Sequence, residues 1–431
     1  MDKPFRFGRS ANSLIAILLA CGSILWHSTL AQSSDWYRFR GPSGDGIAEP
    51  GSDVPIEWSS EHHVAFRTSL AGQGWSSPVV SKGRIYLSAA IPMDGEDNEE
   101  ATNFHLSLLI LDAQSGTLLK TVALMQQTAE KSPKIHKKNS HASPTPIVAG
   151  DRVFVHFGYQ GTACVDLDGK LLWTNRDLYF KPVHGNGGTP VLVNDRLIFT
   201  CDGLKDPKVV ALDTTTGKVA WETARPVDAD RKFSFCTPLV INVNGRTQVI
   251  APGSDCVLAL DPVGGDVIWQ VRYTGYSVIP KPIYHAGLVI LSTSYDSPSM
   301  LAIDPTGQGD VTETHLKWSL RRNVPHTPSM LAQDGLIYSI SDDGIAMCVE
   351  AAAGEMIYKK RVGGGFSASP ILVDNRIYYT DEAGLTTVIA TGRDYEVLAE
   401  NDLGERTLAS MAVDGNALLI RTANAIYRIE E

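Results

Sequence analysis

Histidine and carboxamide side chains recur in this 431-residue chain at one kind of place, a few residues ahead of a small residue and a proline. Asn139 and His141 precede Thr145-Pro146, His184 and Asn186 precede Thr189-Pro190, and His326 precedes Thr327-Pro328. Lys281 stands immediately before Pro282. Imidazole, amide and ammonium groups gathered at one rim would form a polar mouth able to grip a small polar ligand such as a sugar. The same groups at strand starts can instead cap backbone bonds and hold channel water, and both readings stay open. No Cys-x-x-Cys or Cys/His spacing of a structural zinc site occurs, so no metal is assigned, and neither is any catalytic residue.

The prolines belong to a phrase that the chain keeps rewriting. In Thr189–Ala224 a small residue and proline open it, two alternating apolar stretches follow, then Ala-x-Asp, a glycine turn and a closing aromatic. Copies align on Pro78, Pro146, Pro190, Pro238, Pro282, Pro328, Pro370 and Met411. A period in the low forties is the length of four short strands, one blade of a propeller. Within the Thr189 copy the strands read as 190–193, 196–201, 208–213 and 218–223, with Asn194-Asp195 and Thr214–Gly217 as turns. The closing Trp173, Trp221, Trp269 and Trp318 are expected to dock between neighbouring blades as structural residues.

At these motifs the chain resembles the tryptophan-docking repeats of the pyrroloquinoline-quinone (PQQ) propeller family, from Val64 to the C-terminus. That family holds quinoprotein dehydrogenases and also non-enzymatic members of the BamB-like type. The segments His136–Pro146 and Val183–Pro190 are also similar to uncharacterised propeller proteins of planctomycete-type bacteria. What the resemblance implies for an enzyme is PQQ over a tryptophan floor and a vicinal disulfide, calcium held by carboxylate and amide, and an aspartate base. This chain has no adjacent Cys-Cys pair. No cofactor is therefore expected, with PQQ and calcium as the alternative.

The ends argue for closure. The last copy has room for three strands, and His63–Leu70 resembles Lys218–Arg225, a fourth strand without its first three. The expected fold is thus all-β: an eight-bladed β-propeller of four-stranded antiparallel blades, closed by N- and C-terminal strands sharing the last blade. Residues 1–31 read as a signal peptide, 32–62 as an N-terminal cap segment and 63–431 as the propeller. Leu18–Cys21 also resembles a lipobox, so the alternative is a lipoprotein anchored through Cys21, the one route expected to membrane association.

With 38 Lys and Arg against 48 Asp and Glu, the net charge of −10 argues against nucleic acid as a partner. The basic run at 131–138 reads as surface charge and the acidic run Asp94–Glu100 as a solvated insert. Cys164, Cys201, Cys236, Cys256 and Cys348 read as buried thiols, with one disulfide left open. The expectation is an exported, monomeric, non-catalytic scaffold in the periplasm or envelope, binding an envelope protein. The alternatives are a PQQ-dependent dehydrogenase and a small-ligand binder at the channel mouth.

Overall fold

The computed structural model describes residues 35–93, 101–131, 135–293, 295–296 and 298–431. The leader, Cys21 and the acidic insert Asp94–Glu100 lie outside the described residues. Eight antiparallel sheets follow one another along the chain. The third is typical: Val191–Val193, Arg196–Cys201, Lys208–Asp213 and Val219–Ala224 pair in chain order, innermost first. Its turn at Asp213 shows why the repeat needs its aspartate. One carboxylate oxygen accepts from the backbone N–H of Thr215 and Thr216 and from the Thr216 hydroxyl. These bonds hold the Asp213 carboxyl below its ordinary value.

The aromatics seal blade to blade. Trp173 donates from Nε1 to the Thr214 carbonyl of the next sheet at 2.9 Å, Trp221 to Pro262 at 3.0 Å, and Trp318 to Ala351 at 3.0 Å. The turn glycine of the next blade lies against each ring. A Cβ on Gly217 would sit 2.4 Å from the Trp173 ring, and one on Gly265 2.6 Å from Trp221. Both glycines also hold positive φ, so the turn needs glycine for conformation and for space. Trp269 differs. It is fully buried because Gly309–Asp310, in the long loop of the fifth sheet, pairs in parallel with its strand. Its Nε1 donates to Gln248, whose amide donates onward to the Pro305 carbonyl.

Closure comes from Val64–Ser69, which pairs with Ala425–Ile429 as the outer strand of the eighth sheet. Phe66 on that strand takes the tryptophan place, its ring 2.5 Å from a Cβ on Gly116 of the first sheet. Arg421 crosses the same seam, donating to the Ser76 hydroxyl at 2.6 Å and the Ser88 carbonyl at 2.9 Å. No edge is left for another chain to pair with there.

The sixth copy does not open on Thr327-Pro328. Its innermost strand is Leu331–Gln333, so Ser329-Met330 occupies the place of Ser369-Pro370. Thr327 instead turns its hydroxyl to Asp342 at 2.6 Å. The five cysteines are all buried and free, with no disulfide among the described residues.

Candidate functional site

The residue just before each innermost strand's opening position faces the ring's axis. These residues are Ser77, Thr145, Thr189, Thr237, Ser329, Ser369 and Ser410, with Lys281 in the fifth blade. They are linked from blade to blade. The Thr145 hydroxyl accepts the Ser77 N–H at 3.0 Å, Thr189 accepts from Thr145 at 3.0 Å, and Thr237 from Thr189 at 2.9 Å. Ser329 accepts from Lys281, Ser369 from Ser329 and Ser410 from Ser369, at 2.9–3.0 Å. Short side chains carrying one oxygen make this belt possible, because each must reach the neighbouring backbone without filling the axis.

Above the belt lies a cavity of about 760 Å³. Its mouth carries an arc of rings: His136, His184, Phe233, Tyr276, Tyr295 and His326, neighbouring centroids 5.5–6.3 Å apart. Arg231 lies over the Tyr276 ring, and Tyr276 donates to Asp296 at 2.7 Å. Lys138 pairs with Glu382 at 2.6 Å on the opposite side, where Ser367 also donates to Glu382.

Below the belt the cap segment fills the channel. The Trp36 and Tyr37 carbonyls accept from Val80 and Val148 on the first two innermost strands, and Ala48 and Leu372 bond on the seventh. Phe39 faces up into the cavity. Arg40 is buried and donates to the Pro370 and Met330 carbonyls, while the Lys281 ammonium donates to Gly44. Burial lowers Lys281 to about 7 and Arg40 to about 10.

The sequence-derived candidates separate accordingly. Asn139, His184 and His326 line the cavity. Asn139 is largely occupied with its own loop, accepting from Ser140 N–H and the Ser143 hydroxyl and donating to the His184 carbonyl. His141 is not at the mouth. Its ring packs on Phe104 and bonds to Gln127 at 3.0 Å, and burial lowers it to about 4. Asn186 lines a separate crevice beside His156 and donates to the Phe157 carbonyl. Lys281 occupies the belt position but points into the plug. Phe233, Tyr276, Tyr295, His136 and Arg231 are cavity residues that the strand-start rule does not find. For His136, Phe233 and Tyr276 the signal is the aromatic content of the loops leading from one blade to the next, whereas Tyr295 lies within the fifth blade, between its second and third strands.

The family model described as outer membrane protein assembly factor BamB matches residues 106–234 and 302–428, more than half of the chain. The chain belongs to this family. BamB of Yersinia pestis is 22% identical over 294 residues, 55% of this chain and 70% of that protein. The crystal structure of BamB from Moraxella catarrhalis superposes with a TM-score of 0.57 at 13% identity, covering 85% of this chain and 99% of that one. A europium-containing methanol dehydrogenase superposes with a TM-score of 0.64 at 11% identity, over 91% and 90% of the two chains. Likeness at such identities shows the shared propeller and nothing of its chemistry.

Of the groups that the resemblance would ask of a PQQ and calcium site, the cavity lining carries Trp75, Asp342 and Asn139, and the chain has no adjacent cysteine pair to complete them. Asp342 is the carboxylate on that lining, and its oxygens already accept from the His326 and Thr327 N–H groups and the Thr327 hydroxyl. Among the described residues no three His, Cys, Asp or Glu side chains converge to hold a metal ion. No helix among them is long and apolar enough to cross a membrane.

Proposed function

We propose that this BamB-family protein is a non-catalytic binding scaffold of the bacterial envelope, exported and working through protein partners of outer-membrane protein assembly. The observation that carries the reading is the family match, which falls on both halves of the ring rather than on one repeat. The architecture supports it. A ring closed by docked tryptophans and a shared blade is rigid, and its loops present side chains such as Tyr179, between two blades, and Tyr295, within the fifth, to solvent.

The test is photocrosslinking in the native host, with the crosslinking residue placed at Tyr179 or Tyr295. Capture of an outer-membrane barrel-assembly component, lost when neighbouring loop residues are changed, is the expected result. Dye-linked dehydrogenase activity of the purified chain supplied with PQQ and calcium would overturn the reading. Attachment to the membrane is assigned to Cys21 if that residue is lipidated. Cys21→Ala should then move the protein from the membrane fraction to the soluble fraction.

A further inference from the structure

The central cavity holds donors that the fold itself does not use. In Thr145, Thr189, Thr237, Ser329, Ser369 and Ser410 the hydroxyl oxygen accepts a backbone N–H from the neighbouring blade. A hydroxyl has one proton and two lone pairs, so accepting leaves its O–H able to donate. None of the six donates to a protein acceptor among the described residues. All six are less than a tenth exposed, and all line the cavity. Six such donors around one axis call for an acceptor-rich occupant.

Charge beneath the belt narrows that occupant. Arg40 and Lys281 are buried in the plug with Arg38 and Asp45 near them, while the Asp342 carboxylate on the cavity wall is engaged by the His326 and Thr327 N–H groups and the Thr327 hydroxyl. Cations held in a closed floor focus positive potential upward, toward the cavity. Above the belt, the arc from His136 to His326 offers aromatic surface suited to an apolar ring face. The volume lies within the range of about 300–1,000 Å³ usual for small-ligand sites.

We propose that the cavity binds an acidic sugar, a pyranose bearing a carboxylate, with the carboxylate toward the hydroxyl belt and the sugar ring among the mouth aromatics. A neutral sugar would satisfy the hydroxyls and leave the floor charge unanswered. A small carboxylate alone would leave the aromatic arc unused. The inference goes beyond the scaffold reading and stands or falls separately from it.

The experiment is calorimetric titration of the full chain with galacturonate, glucose and acetate as probes. Galacturonate should bind at least tenfold more tightly than either of the others. The double variant Y276A/Y295A should weaken galacturonate tenfold or more at an unchanged melting temperature. Lys281→Met should bring the galacturonate-to-glucose ratio toward one; should that variant fail to fold, added salt should weaken galacturonate while sparing glucose. Glucose binding as tightly as galacturonate would overturn the anionic assignment, and acetate doing so would overturn the sugar. Absence of heat with all three probes, or full galacturonate affinity in Y276A/Y295A, would remove the site.

Discussion

The two ends of the channel are built from the same eight innermost strands, yet they have opposite character. At the floor, Trp36 is 1% exposed and Arg40 2%, and the cap bonds to the innermost strands of the first, second and seventh sheets. At the mouth, Tyr295 is 52% exposed and the rings touch mainly one another. The floor is therefore part of the folding unit, whereas the mouth is displayed by it. The strands themselves do not set this difference. Among the described residues, one segment of chain enters the channel from below and none from above.

The floor is where a single change should cost most. The Trp36 ring packs against Gly41, whose Cβ, if present, would lie 2.8 Å from it. Trp36→Ala empties this site and should destabilise the protein by about 3–5 kcal/mol. Urea unfolding monitored by fluorescence measures the change, and a loss below about 1 kcal/mol would show that the plug does not belong to the cooperative unit.

Between the ends, the blade wall should respond to acid. His156 is buried, bonds Thr162 at 2.8 Å and packs on Phe199, and burial lowers it to about 3. His141 is lowered to about 4 for the same reason. Both are neutral when folded but take a proton near pH 6.5 when unfolded. Their contribution is thus complete above about 6.5 and is lost as pH falls toward 4 and then 3. Each should cost about 1.4 kcal/mol per pH unit in that window. His156→Gln should make the fall between pH 6.5 and 4.5 shallower by roughly 2–3 kcal/mol; an unchanged slope would mean that His156 is not buried neutral.

Much of this wall could be read in the chain beforehand, and much of the mouth could not. The period, the eight sheets and the split eighth blade follow from a repeat in which every position has a steric reason. Asp213 bonds its turn, Gly217 makes room for Trp173, and Phe66 stands in for a tryptophan. The misaligned sixth copy shows the limit of such reading. Thr327-Pro328 has the right residue types, but the Thr327 hydroxyl goes to Asp342 and Ser329 makes the belt bonds in its place. At the mouth no such rule operates. His141 looks equivalent to His184, yet the turn tied by Asn139 and Ser143 carries it to the side. Phe233 and Tyr276 sit in loops of different lengths, where distance from the proline says nothing about direction.

Lys281 joins the two ends, since its backbone belongs to the belt and its ammonium to the plug. Its folded value of about 7 lies below the ordinary 10.5, because burial and the nearby Arg40 disfavour the charged form. The unfolded chain thus binds a proton between pH 10.5 and 7 that the folded one resists. Stability falls as pH drops through that window and is level below it. Lys281→Met should remove this dependence and raise stability at pH 7 by about 1–2 kcal/mol, after the loss of the bond to Gly44. The advantage should close as pH rises toward 10.5. A variant less stable than the parent at every pH would show that the bond to Gly44 outweighs the burial of the charge.

The smallest expected effect is the one that separates mouth from floor most clearly. Tyr295 is half exposed, and among the described residues its ring meets those of Tyr276 and His326 at centroid distances of 6.3 and 5.5 Å. An exposed ring with so few neighbours contributes little to folding, so Tyr295→Ala should shift unfolding by no more than about 0.5 kcal/mol. Thermal melts of the variant and its parent should overlay, while the acid slope set by His156 stays as it was. A loss approaching that of Trp36→Ala would mean that the aromatic arc is packed as tightly as the plug. The mouth would then be a second structural cap rather than a surface the ring holds out to a ligand or partner.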